Sequence, residues 1–189
     1  MGGAAVRAPT SVRGLRAYLR RGGVIAYPTA SCFGLGCDPN SAAGVRLLLR
    51  HKGRPQHKGL ILIADRFERL QPYVARLSSA ERLRVEEKWP GPHTWLLPAS
   101  RRASRSVRGK HDKLAVRVDA HPDCVALCRH LKMALVSTSA NRTGRRPVRS
   151  YRECVRLFGA WAKVVPGRIG KQKNPSTIQD LENGLLLRG

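Results

Sequence analysis

The chain has 189 residues, of which 42% are hydrophobic and 25% charged, an ordinary balance that excludes global disorder. The charge is extreme, because 36 Lys and Arg against 12 Asp and Glu leave a net charge of +24 at pH 7. A field of this sign favours polyanionic partners, namely nucleic acids, phosphorylated small molecules or anionic membranes. A solvated basic surface without a ligand is the alternative interpretation.

Hydrophobic spacing and turn signals predict helices and strands that alternate along the chain. Helices are predicted to begin at Thr10 or Ser11, Ser41, Ser79, Pro122 and Ser150. Strands are predicted at Val24–Tyr27, Leu60–Ala64, Thr94–Leu97, Leu114–Val118 and Ala134–Thr138, with short extended segments at 163–165, 176–179 and 185–188. Residues 100–113, rich in Ser, Arg and Gly, are predicted to form a mobile loop. We therefore expect one α/β domain over residues 1–189, with a sheet covered by helices.

The cysteines are odd in number and irregularly spaced, which argues against a disulfide framework and fits a reducing compartment. His121, Cys124 and Cys128 share one face of a predicted helix, but a zinc site would need a fourth ligand. Buried free thiols are the favoured interpretation. No apolar run is long enough to cross a bilayer, and the N-terminus lacks the apolar stretch of a signal peptide. We predict a cytoplasmic protein.

A basic loop, His51–Gly59, lies between a predicted helix and a buried predicted strand. Its cations Lys52, Arg54 and Lys58 can surround a polyphosphate, and its glycines let the backbone approach closely. Alternatively, Lys52 and Arg54 only complement the dipole of the preceding helix.

The segment Ser137–Asn141 follows another predicted strand and offers three hydroxyls and one amide. Such donors can bind phosphate oxygens, or they can form an ordinary turn or helix cap. The chain has no P-loop, and Gly34–Gly36 lacks the third glycine of a dinucleotide fingerprint. Carboxylates are too sparse for a paired acid mechanism, so positioning and charge stabilisation are the expected catalytic devices.

Two further basic clusters occupy residues 101–113 and 142–156. If they line one face, they predict binding of structured RNA through its backbone. Base stacking on single strands is the weaker expectation, because Tyr151 is the only Phe, Trp or Tyr in either cluster.

Nine short motifs are spread along the chain: Tyr27-Pro-Thr29, Phe33-Gly-Leu-Gly36-Cys-Asp38, Lys52-Gly-Arg54-Pro, Lys58-Gly-Leu-Ile-Leu-Ile63, Trp89-Pro-Gly-Pro92, Leu114-Ala-Val-Arg117, Ser137-Thr-Ser-Ala-Asn141, Val165-Pro-Gly167 and Asn174-Pro-Ser176. Each alone is weak. In this order they resemble the YrdC/TsaC-type threonylcarbamoyl-AMP synthases, in their short bacterial form. The resemblance covers residues from about 15 to 188.

The resemblance implies a single twisted, open, mixed sheet with flanking helices and a positively charged concave face. It implies synthesis of threonylcarbamoyl-AMP from L-threonine, bicarbonate or CO2, and ATP, with release of pyrophosphate. By motif position, the threonine-binding residues are Thr29, Arg117 and Ser137. The ATP-binding residues are Arg54, Lys58, Ser139 and Asn141, and the catalytic residues are Lys52 and Arg54.

The resemblance also implies a Mg²⁺ ion that accompanies ATP, with no metal site on the protein itself. Its partners would be proteins that transfer the threonylcarbamoyl group to tRNA next to the anticodon. Double-stranded RNA or tRNA is a further candidate partner, and no membrane is involved.

One position departs from the family pattern, since Ala30 stands where the family has Glu. This departure and the high charge keep a second function open, a non-enzymatic double-stranded RNA-binding or ribosome maturation factor. A third interpretation is a carbamoyl-adenylate domain of the kind found in larger carbamoyltransferases.

Overall fold

Nine strands of one mixed sheet organise the part of the chain that the computed structural model describes, residues 12–188. The strands are β1 (Val24–Pro28), β2 (Phe33–Cys37), β3 (Ile61–Ala64), β4 (His93–Pro98), β5 (Lys113–Val118), β6 (Leu135–Ser139), β7 (Lys163–Val164), β8 (Thr177–Asp180) and β9 (Leu186–Arg188). The helices are α1 (Val12–Arg20), α2 (Ala42–Lys52), α3 (Ser79–Glu86), α4 (Arg105–Arg108), α5 (Pro122–Leu131) and α6 (Tyr151–Phe158). The helix start predicted at Thr10 or Ser11 lies outside the described residues.

The strand order β7-β1-β2-β6-β3-β5-β4-β8-β9 confirms the predicted mixed α/β sheet. The pairs β1–β7, β3–β5 and β4–β8 are parallel, and the other neighbouring strands run antiparallel. The late strand β6 inserts between β2 and β3. Its C-terminal residues therefore lie close to segments that are far away in sequence, and the functional site forms there.

The strand β2 was not predicted, because Gly34 and Gly36 disfavour a strand. The glycines are needed where this strand meets its neighbours. A Cβ at Gly36 would lie 2.6 Å from the Val136 carbonyl oxygen and 2.8 Å from the Tyr27 ring. The close approach of β1, β2 and β6 thus depends on a missing side chain.

Helix ends follow the capping rules. Ser150, where the sequence predicts a helix to begin, accepts a hydrogen bond from the Glu153 amide, but the Glu153 carboxylate pairs with Arg146, so the Ser150–Glu153 capping box is only half formed. A complete capping box joins Ser78 and Glu81 at the start of α3. Both arrangements satisfy an amide that the first helical turn would leave unpaired.

The predicted mobile loop over residues 100–113 contains α4 and packs closely against the basic loop. The Leu60 amide donates to the Val107 carbonyl, and the Lys110 amide donates to the His57 carbonyl. A side chain at Gly109, whose φ is +67°, would collide with that same His57 carbonyl. Residues 100–113 are therefore packed against the rest of the structure and do not form a separate loop.

Hydrophobic clusters cover both faces of the sheet, and Cys124 and Cys128 belong to the smaller one with Leu19, Ile25 and Leu135. Burial raises the pKa of both thiols. All five cysteines are free, and these two are buried as predicted. Among residues 12–188, no helix is both long enough and apolar enough to cross a membrane.

Candidate active site

A cavity of about 1230 Å³ opens beside the ends of β6, β3 and β5. Eleven Lys and Arg side chains and two Asp side chains line it, so its walls carry a large share of the positive charge. All eight residues singled out from the sequence lie in its lining: Thr29, Lys52, Arg54, Lys58, Arg117, Ser137, Ser139 and Asn141. The fold therefore brings together groups from four separate segments.

Lys52, the last residue of α2, is buried with 4% exposure. Its ammonium group donates to the Ser139 carbonyl at 2.6 Å, to Ser139 Oγ at 3.3 Å, to the Asn141 carbonyl at 3.1 Å and to Asn141 Oδ1 at 2.8 Å. None of these acceptors is charged. Burial, with a smaller contribution from the Arg54 charge, lowers the Lys52 pKa to about 8.

The segment after β6 is fastened to α2 through further bonds. Ser139 Oγ donates to Asn141 Oδ1 at 2.6 Å, and the Thr143 amide and hydroxyl both donate to the Lys52 carbonyl. The Asn141 amide group donates to the carbonyls of Arg142 and Arg145. Lys52, Ser139 and Asn141, predicted as separate ligand groups, thus bond to one another and form a preorganised wall.

Arg54 and Lys58 provide two further cations in the cavity lining. The Arg54 guanidinium donates through Nε and Nη2 to the Gly59 carbonyl at 3.2 and 3.0 Å, and burial lowers its pKa. Lys58 is exposed, and its ammonium has no hydrogen bond or ion pair within residues 12–188. We call the group of Lys52, Arg54, Lys58, Ser139 and Asn141 the cationic end of the cavity.

Ser137 lies further along β6 and is held by a tyrosine that the sequence did not single out as a site residue. The Tyr27 hydroxyl donates to Ser137 Oγ at 2.8 Å, and both residues are buried. Burial raises the Tyr27 pKa well above its ordinary value, so the phenol stays protonated as a donor. Since Ser137 accepts this bond, its own proton is free to point into the cavity. Thr29 donates its hydroxyl to the Cys32 carbonyl at 2.7 Å.

Arg117 completes what we call the paired end, with Tyr27, Ser137, Thr29 and Asp119. Its Nε and Nη2 donate to Asp119 Oδ2 at 2.9 and 2.6 Å. Asp119 Oδ1 accepts from the His121 amide. The side chain of Arg117 is 13% exposed and that of Asp119 is 5% exposed. Arg117 and Asp119 thus form a structural ion pair, and Arg117 also lines the cavity.

Two cavity residues at the chain's C-terminal strands had no role in the sequence prediction. Arg188 on β9 donates to the carbonyl and the hydroxyl of Ser176 at 2.9 and 3.0 Å, and the Ser176 hydroxyl lies 2.9 Å from that of Thr94. Burial, and then the charges of Arg117 and Arg54, lower the Arg188 pKa. The motif Asn174–Ser176 was the available signal for Ser176, and nothing in the local sequence pointed to Arg188.

Comparison with known proteins shows the family of this chain. The sequence profile of the Sua5/YciO/YrdC family, described as telomere recombination, matches residues 17–188. The chain belongs to this family. The resemblance predicted from the nine motifs is confirmed.

Several relatives in the Sua5/YciO/YrdC family are similar over nearly the whole chain. A threonylcarbamoyl-AMP synthase from Methylobacillus flagellatus is 57% identical over 176 residues, which is 93% of this chain and 98% of that protein. One from Thiobacillus denitrificans is 57% identical over 175 residues, covering 93% of each. The crystal structure of P. abyssi Sua5 complexed with L-threonine superposes with a TM-score of 0.85 at 28% identity. That match covers 94% of this chain and 53% of the Sua5 chain, so this chain spans about half of Sua5.

The position of the family's missing Glu lies beside the cavity. Ala30 accepts a hydrogen bond from the Gln172 amide through its carbonyl, and a Cβ at Gly170 would lie 2.7 Å from the same oxygen. Thr29 and Ser31 on either side line the cavity, whereas Ala30 does not. The backbone at this position is thus fixed independently of the side chain.

The cavity's carboxylates do not fit a protein-held Mg²⁺ ion. Asp180 accepts two bonds from the Lys113 ammonium, and Asp112 lies 3.6 Å from the Arg108 guanidinium. Among residues 12–188, no group of three or more His, Cys, Asp or Glu side chains could hold a metal. An accompanying Mg²⁺ would have to be carried by the phosphates of ATP.

Proposed function

We propose that this chain is a threonylcarbamoyl-AMP synthase that joins L-threonine, CO2 or bicarbonate, and ATP, and releases pyrophosphate. The observation that carries the proposal is that one cavity contains both a cationic end, rich in charge without a counter-charge, and a paired end with a free hydroxyl donor. The names of the relatives with 57% identity support it. These names do not favour the alternative of a non-enzymatic RNA-binding protein.

The cationic end suits the triphosphate of ATP. Lys58 is free to contact phosphate oxygens, and Arg54 keeps donors that its bonds to Gly59 do not use. Lys52 acts through Ser139 and Asn141, because its four contacts hold that segment in place. Cations fixed in advance around a leaving pyrophosphate lower the barrier to its departure.

The paired end suits L-threonine, which carries one carboxylate and one amine. Arg117 Nη1 donates one long hydrogen bond, to Thr94 Oγ1 at 3.5 Å, so its second N–H and the Ser137 proton are available to oxygen atoms of the amino acid. Thr29 lines the same cavity. The threonine complex of P. abyssi Sua5, a protein of similar fold, supports L-threonine as a substrate.

The chemistry requires positioning more than a reactive side chain. The unprotonated threonine nitrogen adds to the carbon of CO2 and loses a proton, which gives a carbamate. A carbamate oxygen then attacks the α-phosphorus of ATP, and the bond to pyrophosphate breaks in line with the attack. The chain contributes orientation and charge stabilisation, and no covalent intermediate with a protein group is needed.

The product would serve the threonylcarbamoyladenosine modification of tRNA, through separate proteins that transfer the threonylcarbamoyl group. Mg²⁺ bound to ATP, direct contact with tRNA, and action in the cytoplasm belong to the same proposal and stay predictions.

The test is to incubate the pure protein with ATP, Mg²⁺, L-threonine and ¹³C-bicarbonate, and to detect labelled threonylcarbamoyl-AMP by mass spectrometry. Omission of threonine should abolish the product. The Ala30→Glu variant, which restores the family's usual acid, serves as the internal comparison. No product from either protein, under conditions where a relative makes it, would overturn the proposal. Product from Ala30→Glu alone would overturn it for the natural chain.

A further inference from the structure

A second cavity, of about 330 Å³, lies where the end of α2, the segment after β6 and the end of α6 meet. It is lined by Arg50, His51, Arg142, Leu157, Phe158 and Trp161. None of these residues lines the active-site cavity. The two cavities nevertheless share the same junction, because His51 precedes Lys52 and Arg142 follows Asn141.

The wall of this cavity is aromatic. The rings of His51 and Trp161 are stacked, with centroids 3.9 Å apart and planes within 6° of each other. Phe158 packs its edge against Trp161, and Leu157 beside them is 51% exposed. Half-buried flat rings next to an exposed apolar side chain offer a surface on which a planar ligand stacks.

The charges around these rings are unbalanced. Arg50 and Arg142 are exposed, and within residues 12–188 neither guanidinium has an ion pair or a hydrogen bond. Burial, and then the charges of Arg50 and Arg142, lower the His51 pKa. Both arginines line this one small cavity, and a guanidinium group is well suited to phosphate.

We propose that this cavity binds one nucleotide unit, with its base stacked against the His51–Trp161 pair and its phosphate between Arg50 and Arg142. A cavity of about 330 Å³ matches a ligand of this size. The fold brings the aromatic rings and the arginines together. Trp161 lies outside the basic cluster 142–156 in the sequence, yet it lines the same cavity as Arg142. A free mononucleotide and an unpaired nucleotide of RNA share this chemistry.

The test uses uridine probes, because adenine nucleotides are expected in the active site. UMP, a uridine octanucleotide and inorganic phosphate are titrated against the ¹³C-labelled protein, and the His51 ring is followed by NMR. A phosphate placed between the two arginines should raise the His51 pKa, and a stacked base should shift the ring resonances. The variant Arg50→Gln/Arg142→Gln should bind UMP about tenfold or more weakly. The control Arg84→Gln/Arg129→Gln removes the same charge from exposed sites elsewhere and should change binding less than about twofold.

Three results would overturn the proposal: an unmoved His51 pKa, equal losses in the two double variants, or inorganic phosphate that binds and shifts His51 as UMP does. Tighter binding of the octanucleotide than of UMP would assign the site to RNA, and equal binding would assign it to a free nucleotide. Threonylcarbamoyl-AMP formation should persist in Arg50→Gln/Arg142→Gln. Loss of the nucleotide site is thereby distinguished from failure of the proposed function.

Discussion

The buried Lys52 and the largely buried Arg117 both face the active-site cavity, and they are stabilised in opposite ways. Arg117 donates two hydrogen bonds to one carboxylate, that of Asp119. Lys52 donates only to neutral oxygens of Ser139 and Asn141. The first charge is neutralised before any substrate arrives, whereas the second is not.

This difference in counter-charge indicates which substrate suits each end of the cavity. A buried charge without a counter-charge is costly, and the lowered pKa of Lys52 reports that cost. A polyanion such as ATP relieves it, so the cationic end is suited to the triphosphate. The paired end has little net charge to offer, which suits an amino acid that binds largely through hydrogen bonds.

The largest expected effect comes from breaking the paired end. Arg117→Ala leaves the buried Asp119 carboxylate without its cation and should lower the free energy of unfolding by about 3–5 kcal/mol. Arg69→Ala is a matched control, because Arg69 pairs with Asp65 at 2.6 Å with similar exposed fractions of 15% and 5%. Denaturant unfolding should show comparable losses in both, and only Arg117→Ala should also raise the threonine Kd. An unchanged threonine Kd would make the Arg117 pair purely structural.

The cationic end is tested by Arg54→Ala. Loss of charge-assisted contacts should weaken ATP binding by about 1–3 kcal/mol and leave threonine binding nearly unchanged. Arg46→Ala, on the exposed side of α2, is the control for a lost positive charge. Calorimetric titration of ATP into the three proteins measures the difference. Equal ATP affinities would remove the basic loop from the substrate site.

The pH dependence sharpens the comparison, because burial lowers the Lys52 pKa to about 8. ATP should bind the protonated form, so its Kd should rise about tenfold per pH unit above pH 8. Stability has the opposite sign: between about pH 8 and the ordinary lysine value of 10.5, the unfolded chain binds more protons, and the free energy of unfolding rises with pH. Lys52→Met should bind ATP weakly with no such alkaline limb. A wild-type Kd that is constant from pH 7 to about pH 9.5 would contradict this role.

The smallest expected effect concerns the support of Ser137. Tyr27→Phe removes the bond to Ser137 Oγ and should weaken threonine binding by about 0.5–1.5 kcal/mol without changing ATP binding. Tyr18→Phe removes a similar bond, from the Tyr18 hydroxyl to the Val24 carbonyl at 3.1 Å, outside the cavity. Steady-state kinetics should show a raised threonine KM in Tyr27→Phe alone. A raised KM in both variants would mean general loosening of the fold.

Local patterns predicted most of the sheet. The five predicted strands occur within one residue of their expected bounds, because each is a short apolar run bounded by turn signals. The strand β2 could not be predicted, since its glycines are explained only by contacts with Tyr27 and Val136. Strand propensity depends on one segment alone, whereas the close approach at Gly36 involves three strands, β1, β2 and β6.

The same limit applies to the site. The basic loop and the segment Ser137–Asn141 were recognisable from their residue types, and the family resemblance added Thr29 and Arg117. All eight site residues chosen in this way line the cavity. Their partners were not predictable, because Lys52 meets Ser139 and Asn141 only through the insertion of β6 between β2 and β3. Arg188 likewise reaches Ser176 through the pairing of β8 with β9.

The most direct test of the two-ended cavity is a crossed titration of two variants, Lys58→Ala and Ser137→Ala, with ATP and with L-threonine. The Lys58 ammonium has no hydrogen bond or ion pair within residues 12–188 to lose, and Ser137→Ala removes a single oxygen, so both variants should fold. Lys58→Ala should raise only the ATP Kd, and Ser137→Ala only the threonine Kd, each by about tenfold. If both variants weakened both substrates equally, or if the effects were exchanged, the division of the cavity into a cationic and a paired end would be contradicted.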